Sequence, residues 1–142
     1  MTPILTSPRV VILHSDRFLG ELLRHCITAW GDARVEVFEE NSAAWKAIEA
    51  SKPDALITDL PVEDATHAEH IRECSDRGVP ILILTTCREE SLIGLLRQVR
   101  FDGIFDAGSE SLESFRLALG ETMNRQPYVS ASLVPLVARC SA

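Results

Sequence analysis

The stretch ALITDLP (55–61) decides the fold of this chain. Its first four residues suit a strand that is buried on both faces of a sheet, and the carboxylate of Asp59 follows them directly. Two other apolar runs also end in polar residues, RVVILHSD (9–16) and VPILILTT (79–86). This repeated pattern predicts a parallel sheet with polar side chains gathered along one edge.

Segments with helical periodicity separate the apolar runs. The first has Asp16 near its start and Gly31 as its stop, and the second has Asn41 or Ser42 as its cap. The predicted strands are 9–14, 34–39, 54–60, 79–86 and 101–107, and the later predicted helices lie within 41–53, 63–77, 88–99 and 111–123. Five such βα units predict a single α/β domain, a doubly wound parallel five-stranded sheet with helices on both faces.

Composition narrows the function classes. The chain has 142 residues, a net charge of -7 and 46% hydrophobic residues, which fits one globular domain. It has no apolar run long enough to cross a membrane, and its N-terminus lacks the features of a signal peptide, so we expect a cytoplasmic protein without membrane contact. The acidity and the scattered Lys and Arg argue against direct binding to a nucleic-acid backbone.

The cysteines and a histidine pair receive structural interpretations. The four cysteines, Cys26, Cys74, Cys87 and Cys140, form no CxxC pair and are expected to be reduced packing residues. His67 and His70 lie three residues apart, and without a third ligand nearby they predict a solvated helix face rather than a metal site.

The carboxyl ends of the predicted strands define the candidate site. The residues there are Ser15 and Asp16, Asp59 to Pro61, Thr85 and Thr86, and Asp106 to Gly108. Because two close carboxylates repel each other unless a cation lies between them, an oxygen-only pocket formed by Asp16 and Asp59 predicts bound Mg²⁺.

Each of four residues is given a role in phosphoryl transfer. Asp59 would be the nucleophile and become an aspartyl phosphate, while Asp16 would bind the metal directly. Pro61 would supply its backbone carbonyl as the third protein ligand of the metal. Thr85 would donate a hydrogen bond to the phosphate.

The order of VVILHSD (10–16), ALITDLP (55–61) and PILILTT (80–86) resembles the receiver domain of two-component response regulators, which has a flavodoxin-like fold. The likeness covers about residues 8–125. ESFRLALGETMNRQPYVSASL (113–133) resembles the end of receivers of the NarL/FixJ (LuxR-type) group. Residues 126–142 are then a C-terminal extension or a linker stub.

The resemblance implies a phospho-accepting switch in a phosphorelay, not an enzyme. Its implied partners are a sensor histidine kinase and a second copy of the chain in a homodimer. DNA would be reached only through an output domain, which we expect to be absent from this chain. The chain would then be either a single-domain regulator that acts by protein contact or the excised receiver of a longer DNA-binding regulator.

Two departures from the receiver pattern concern the acids and the loop after Asp59. Receivers carry two adjacent acids after the first strand, whereas Ser15 stands at the first of these positions here. With one carboxylate fewer, we expect weaker Mg²⁺ binding unless Glu63 or Asp64 compensates. Pro61 also follows Asp59 sooner than the family pattern has it.

The receiver lysine after the fifth strand is missing. The chain's lysines are Lys46 and Lys52, and the matching position is Ala107 or Gly108. Losing this contact to phosphate removes about 1.5–3 kcal/mol. The receiver's switching aromatic then falls on Ile104 or on Phe105, and an ordinary core role for Phe105 is the competing interpretation.

Two function classes stay open on these grounds. The chain is a phospho-accepting switch, or it is an atypical pseudo-receiver that acts without phosphate as a dimerisation or protein-binding module. An unrelated flavodoxin-like enzyme or nucleotide binder is a weaker third hypothesis, because no glycine-rich phosphate loop follows the first strand.

Overall fold

The computed structural model of the chain describes residues 8–59, 65–86 and 91–140. The strands are β1 (Arg9–Leu13), β2 (Arg34–Phe38), β3 (Ala55–Thr58), β4 (Ile81–Thr85), β5 (Gly103–Asp106) and β6 (Tyr128–Val129). The helices are α1 (Arg17–Trp30), α2 (Asn41–Ala50), α3 (Ala65–Asp76), α4 (Ser91–Leu96), α5 (Leu112–Met123) and α6 (Val134–Cys140). Within these residues no helix has the length and apolar character needed to span a membrane.

All strand pairs in the sheet are parallel, in the order β2-β1-β3-β4-β5-β6. Successive residues of the central strands point to opposite faces, where they enter two separate apolar cores. Val11 and Leu13 lie in the core under α2, α3 and α4, while Val10 and Ile12 lie in the core under α1 and α5. The predicted doubly wound α/β fold is therefore confirmed.

A sixth strand extends the predicted five-stranded sheet. β6 pairs with β5, because the Tyr128 amide donates to the Asp102 carbonyl at 3.2 Å and the Ser130 amide donates to the Ile104 carbonyl at 3.1 Å. Such a short strand leaves no alternating pattern in the sequence. The segment after residue 125, expected to be an extension or linker stub, thus adds a strand, a 3₁₀ turn (Ala131–Leu133) and α6 to the fold.

The helix starts agree with the sequence in one case and differ in another. Asp16 caps α1, since its side chain accepts a hydrogen bond from the Leu19 amide, and Gly31 is the C-cap. The predicted cap of α2, Asn41 or Ser42, is wrong: the helix already includes Asn41, and the N-cap position is Glu40. Glu40 makes no side-chain cap hydrogen bond, and the cap-type residues Asn41 and Ser42 in the sequence did not mark the N-cap position.

Cys74 gives the stability of the fold a pH dependence. Its thiol on α3 is 3% exposed, and burial raises its pKa from 9.0 to about 11, while the charge of Arg77 opposes the rise. Because the folded thiol ionises later than the unfolded one, this contribution is complete below pH 9.0 and is lost as the pH rises towards about 11.

The free energy of unfolding of the wild type should therefore fall as the pH rises over this alkaline range. We expect the fall to be smaller in Cys74→Ala, by up to about 2–3 kcal/mol. Urea unfolding of both proteins at neutral and alkaline pH measures the difference. Equal pH slopes would contradict the assignment, whatever the offset caused by the smaller side chain.

Candidate functional site

Four adjacent strands bring the predicted site residues to one edge of the sheet. In the order β1-β3-β4-β5, the residues that end or follow them include Ser15, Asp59, Thr85 and Ala107. The Asp59 amide donates to the carbonyl of Leu13 in the neighbouring strand at 3.4 Å, so the end of β3 lies against the end of β1. The strand ends that the sequence placed together therefore do lie side by side, and Asp59 is half-buried there.

Ser15 contacts Asp59 directly. Its hydroxyl donates to Oδ2 of Asp59 at 2.7 Å, and its backbone amide approaches the same oxygen at 3.3 Å. An acid at this position would repel the Asp59 carboxylate, whereas the serine hydroxyl stabilises it. The departure noted in the sequence therefore replaces a repulsive pair by a hydrogen bond.

Asp16 is exposed at the start of α1 and serves first as its cap. Its Oδ1 accepts a hydrogen bond from the Leu19 amide at 3.2 Å, and its own amide donates to Nδ1 of His14 at 2.9 Å. Capping satisfies an otherwise unpaired amide and orients the carboxylate at the edge. One oxygen of Asp16 is thus already hydrogen-bonded before any metal is considered.

A buried histidine lies beneath Asp59. His67 on α3 is 1% exposed, and its Nε2 lies 2.9 Å from Oγ1 of Thr58 and 3.0 Å from the Asp59 carbonyl. The expected solvated face for His67 and His70 is wrong, because α3 turns this face towards Trp45 of α2, whose ring lies 4.8 Å from that of His70. The sequence offered no signal for this role, since the weak apolar pattern of α3 does not fix its rotation.

The end of the fifth strand lies beside Thr85. Asp106 is the register partner of Thr85, and the Ala107 amide donates to the Thr85 carbonyl at 2.9 Å. Ala107 packs against the core under α1 and α5, and Gly108, at the alternative lysine position, is exposed. Neither residue can supply a positive charge.

The switching aromatic of receivers was expected at Ile104 or Phe105, and the structure shows where both side chains lie. Phe105 is buried in the core, with its ring edge-on to Phe115 at 5.5 Å and tilted against Tyr128 at 6.3 Å. Ile104 lies on the opposite face of the strand, in the core that includes α4. Phe105 is therefore a core residue here, as one of the two interpretations had it.

The metal ligands are described only in part. Pro61, Glu63 and Asp64 lie outside the described residues, so the predicted carbonyl ligand and the compensating acids stay predictions. Among residues 8–59, 65–86 and 91–140, no three His, Cys, Asp or Glu side chains form a group that could hold a metal ion. Asp16 and Asp59 supply carboxylate oxygens, the type of ligand that Mg²⁺ takes, and this ion commonly uses one or two protein carboxylates and keeps several waters.

The fold matches solved structures of response-regulator receiver domains. No protein-family model matches the sequence, and no curated protein matches it either. The structure nevertheless has the flavodoxin-like receiver fold that the sequence predicted.

One similar structure is the RcsB response regulator of Salmonella typhimurium, with a TM-score of 0.78 at 18% identity, over 97% of this chain and 69% of that one. The isolated receiver domain of RcsB from Salmonella enterica serovar Typhimurium, solved with phosphomimetic BeF₃⁻, has a TM-score of 0.72 at 16% identity, over 95% and 99% of the two chains. The chemotaxis protein CheY4 of Vibrio cholerae has a TM-score of 0.70 at 17% identity, over 82% and 99%.

Proposed function

We propose that this chain is an atypical receiver domain of a two-component system that accepts a phosphoryl group on Asp59 in a Mg²⁺-dependent reaction. The observation that carries the proposal is the placement of Asp59. This half-buried carboxylate directly follows an inner strand of a receiver-type sheet, is hydrogen-bonded by Ser15, and shares the edge with Asp16 and Thr85.

The proposed reaction is a displacement at phosphorus. A carboxylate oxygen of Asp59 forms the new O–P bond, and the bond from phosphorus to the donor's leaving group breaks, with the electron pair going to that group. The Thr85 hydroxyl donates a hydrogen bond to a phosphoryl oxygen. The nucleophile is the carboxylate form of Asp59, so the step releases no proton.

Asp16 and Asp59 would hold the Mg²⁺ ion, with the Pro61 carbonyl as the third protein ligand. When bound, the ion neutralises charge on the phosphoryl oxygens. The Ser15 hydroxyl keeps Asp59 oriented at the edge, so the nucleophile needs little reorganisation before the reaction. The hydrogen bond also makes the occupied oxygen a weaker nucleophile and a weaker ligand.

The absence of a lysine sets the expected strength of the switch. With Ala107 or Gly108 at that position, no ammonium stabilises the phosphorylated state. Phosphorylation of Asp59 is therefore slow, and it shifts the conformational equilibrium only weakly. The proposed donor in the cell is a sensor histidine kinase. The readout is a change of protein contacts, in a homodimer or through the output domain of a longer cytoplasmic regulator.

A second function is favoured by specific contacts. Oδ2 of Asp59 is taken by Ser15, and an oxygen of Asp16 by the cap of α1. The position of the lysine is occupied by Ala107 or Gly108. These contacts would stabilise one conformation without phosphate or metal. The alternative is therefore a phosphorylation-independent pseudo-receiver that binds a partner or a second copy.

Intact-mass measurement after incubation with acetyl phosphate and Mg²⁺ tests the proposal. We expect one added phosphoryl group on the wild-type chain, none on Asp59→Asn, and one on the control Asp32→Asn, which changes an exposed loop carboxylate. Acetate is the leaving group. No addition to the wild type, or an addition that persists in Asp59→Asn, would favour the pseudo-receiver.

A further inference from the structure

A buried carboxylate joins the candidate site to the end of the chain. Asp106, the last residue of β5, is 1% exposed, and its Oδ1 accepts from the Gly108 amide at 2.9 Å. Its Oδ2 accepts from the Ser132 hydroxyl at 2.6 Å, and its backbone amide donates to Oγ of Ser130 at 2.8 Å. Two of these three hydrogen bonds reach the C-terminal segment, defined here as residues 128–140.

The C-terminal segment covers an apolar face of α4. Leu133 and Leu136 are buried in the same core cluster as residues of that helix. The α4 members of the cluster are Leu92, Ile93 and Leu96. The C-terminal end of the segment is held by the Arg97 guanidinium, which donates a hydrogen bond to the Arg139 carbonyl at 3.1 Å.

The elements of this segment are short. β6 has two residues, the 3₁₀ turn has three, and α6 has seven. A helix of that length does not persist alone in water, so α6 depends on its docking against α4. Segments of this kind open at a lower free energy than the central strands do, which makes each hydrogen bond at Asp106 important for the docked state.

The same strand end also belongs to the candidate site. Thr85 is the register partner of Asp106, and its carbonyl accepts from the Ala107 amide at 2.9 Å. A shift of Thr85 towards a phosphoryl group would therefore pull on the backbone directly after Asp106. Local shifts of this size become larger changes when they bias an element that has two discrete positions.

We propose that Asp106, Ser130 and Ser132 form a latch that holds the C-terminal segment on α4 and is loosened by a change at Thr85. Opening the latch undocks α6 and uncovers the apolar face of α4. The holding role is independent of the chemistry at Asp59, whereas the loosening rests on the proposed function.

Hydrogen exchange of the full chain tests the holding role. Ser132→Ala removes a hydrogen bond to the buried Asp106 side chain, so we expect amides of residues 130–140 to exchange about tenfold faster, with β1 amides unchanged as the internal reference for folding. The control Ser109→Ala changes an exposed serine near the same edge and should leave these rates unaltered. Equal rates in Ser132→Ala and the control would overturn the latch.

Exchange after treatment with acetyl phosphate and Mg²⁺ tests the loosening, with the mass of each sample recorded. Phosphorylated wild-type chain should exchange faster in residues 130–140, approaching the untreated Ser132→Ala protein, and Asp59→Asn should not respond. If Asp59 is phosphorylated while exchange stays unchanged, the loosening is overturned and the proposed function stands. If no phosphoryl group is added, the loosening fails together with the proposed function, and Ser132→Ala still decides the holding role.

Discussion

The double variant Ser15→Asp/Ala107→Lys is expected to label Asp59 with acetyl phosphate about 10- to 100-fold faster than the wild type in the presence of Mg²⁺. A lysine ammonium beside the phosphoryl oxygens adds a charge-assisted contact of about 1.5–3 kcal/mol, and that amount in the barrier corresponds to this range. The aspartate adds an oxygen ligand near Asp16 and Asp59, which tightens binding of Mg²⁺.

The single variants separate the two effects. Ser15→Asp alone should bind Mg²⁺ more tightly in a titration, yet without metal it places two carboxylates in contact and should lower the stability. Ala107→Lys alone should raise the labelling rate at saturating Mg²⁺. Gly108→Lys distinguishes the two positions open for the lysine, since only the position that reaches the phosphate should respond. The proposed site would be contradicted if a lysine at neither position, combined with Ser15→Asp in a folded protein, gave faster phosphorylation than the wild type.

The fold was predictable because its strands are buried on both faces. Runs such as ALIT (55–58) and ILIL (81–84) have no polar face, and this pattern is typical of a parallel sheet under helices. The sequence does not show which face each residue occupies. The structure assigns Leu56 to the core under α3 and Ile57 to the core under α5, an alternation that apolar runs conceal.

The features that the sequence did not reveal depend on tertiary contacts. β6 is a strand because β5 offers it an edge, not because of the propensity of its two residues. His67 is buried because α2 and α3 pack together, and its hydrogen bonds to Thr58 and the Asp59 carbonyl offset the cost of burying its ring nitrogen. Neither effect leaves a local pattern.

The candidate site was predictable at the level of strand ends. The rule that sites lie at the carboxyl ends of parallel strands selected Asp16, Asp59 and Thr85. It also selected Asp106, but not its buried contacts with Ser130 and Ser132, because hydrogen bonds over more than twenty residues follow from the path of the chain. A carboxylate as the last residue of an apolar strand was the available signal.

Replacing Phe115 by Ala is expected to lower the free energy of unfolding by about 3–5 kcal/mol, the usual range when a buried Phe leaves a cavity. Phe115 on α5 is 1% exposed, and its ring lies 5.5 Å from Phe105 and 6.0 Å from Trp30. It therefore fills the space between α1, α5 and β5. Because domains of this size are stable by only about 5–15 kcal/mol, such a loss is a large fraction of the total.

Urea unfolding with Phe18→Ala as the matched control measures this effect. Phe18 is 78% exposed on α1, so the same substitution there should change the free energy of unfolding by no more than about 0.5 kcal/mol. The contrast between two identical substitutions isolates burial from helix propensity. Since Phe105 rests on Phe115, the cavity should also loosen β5, whose end carries the Asp106 latch. Equal losses in the two variants would show that α5 does not pack against β5 as described.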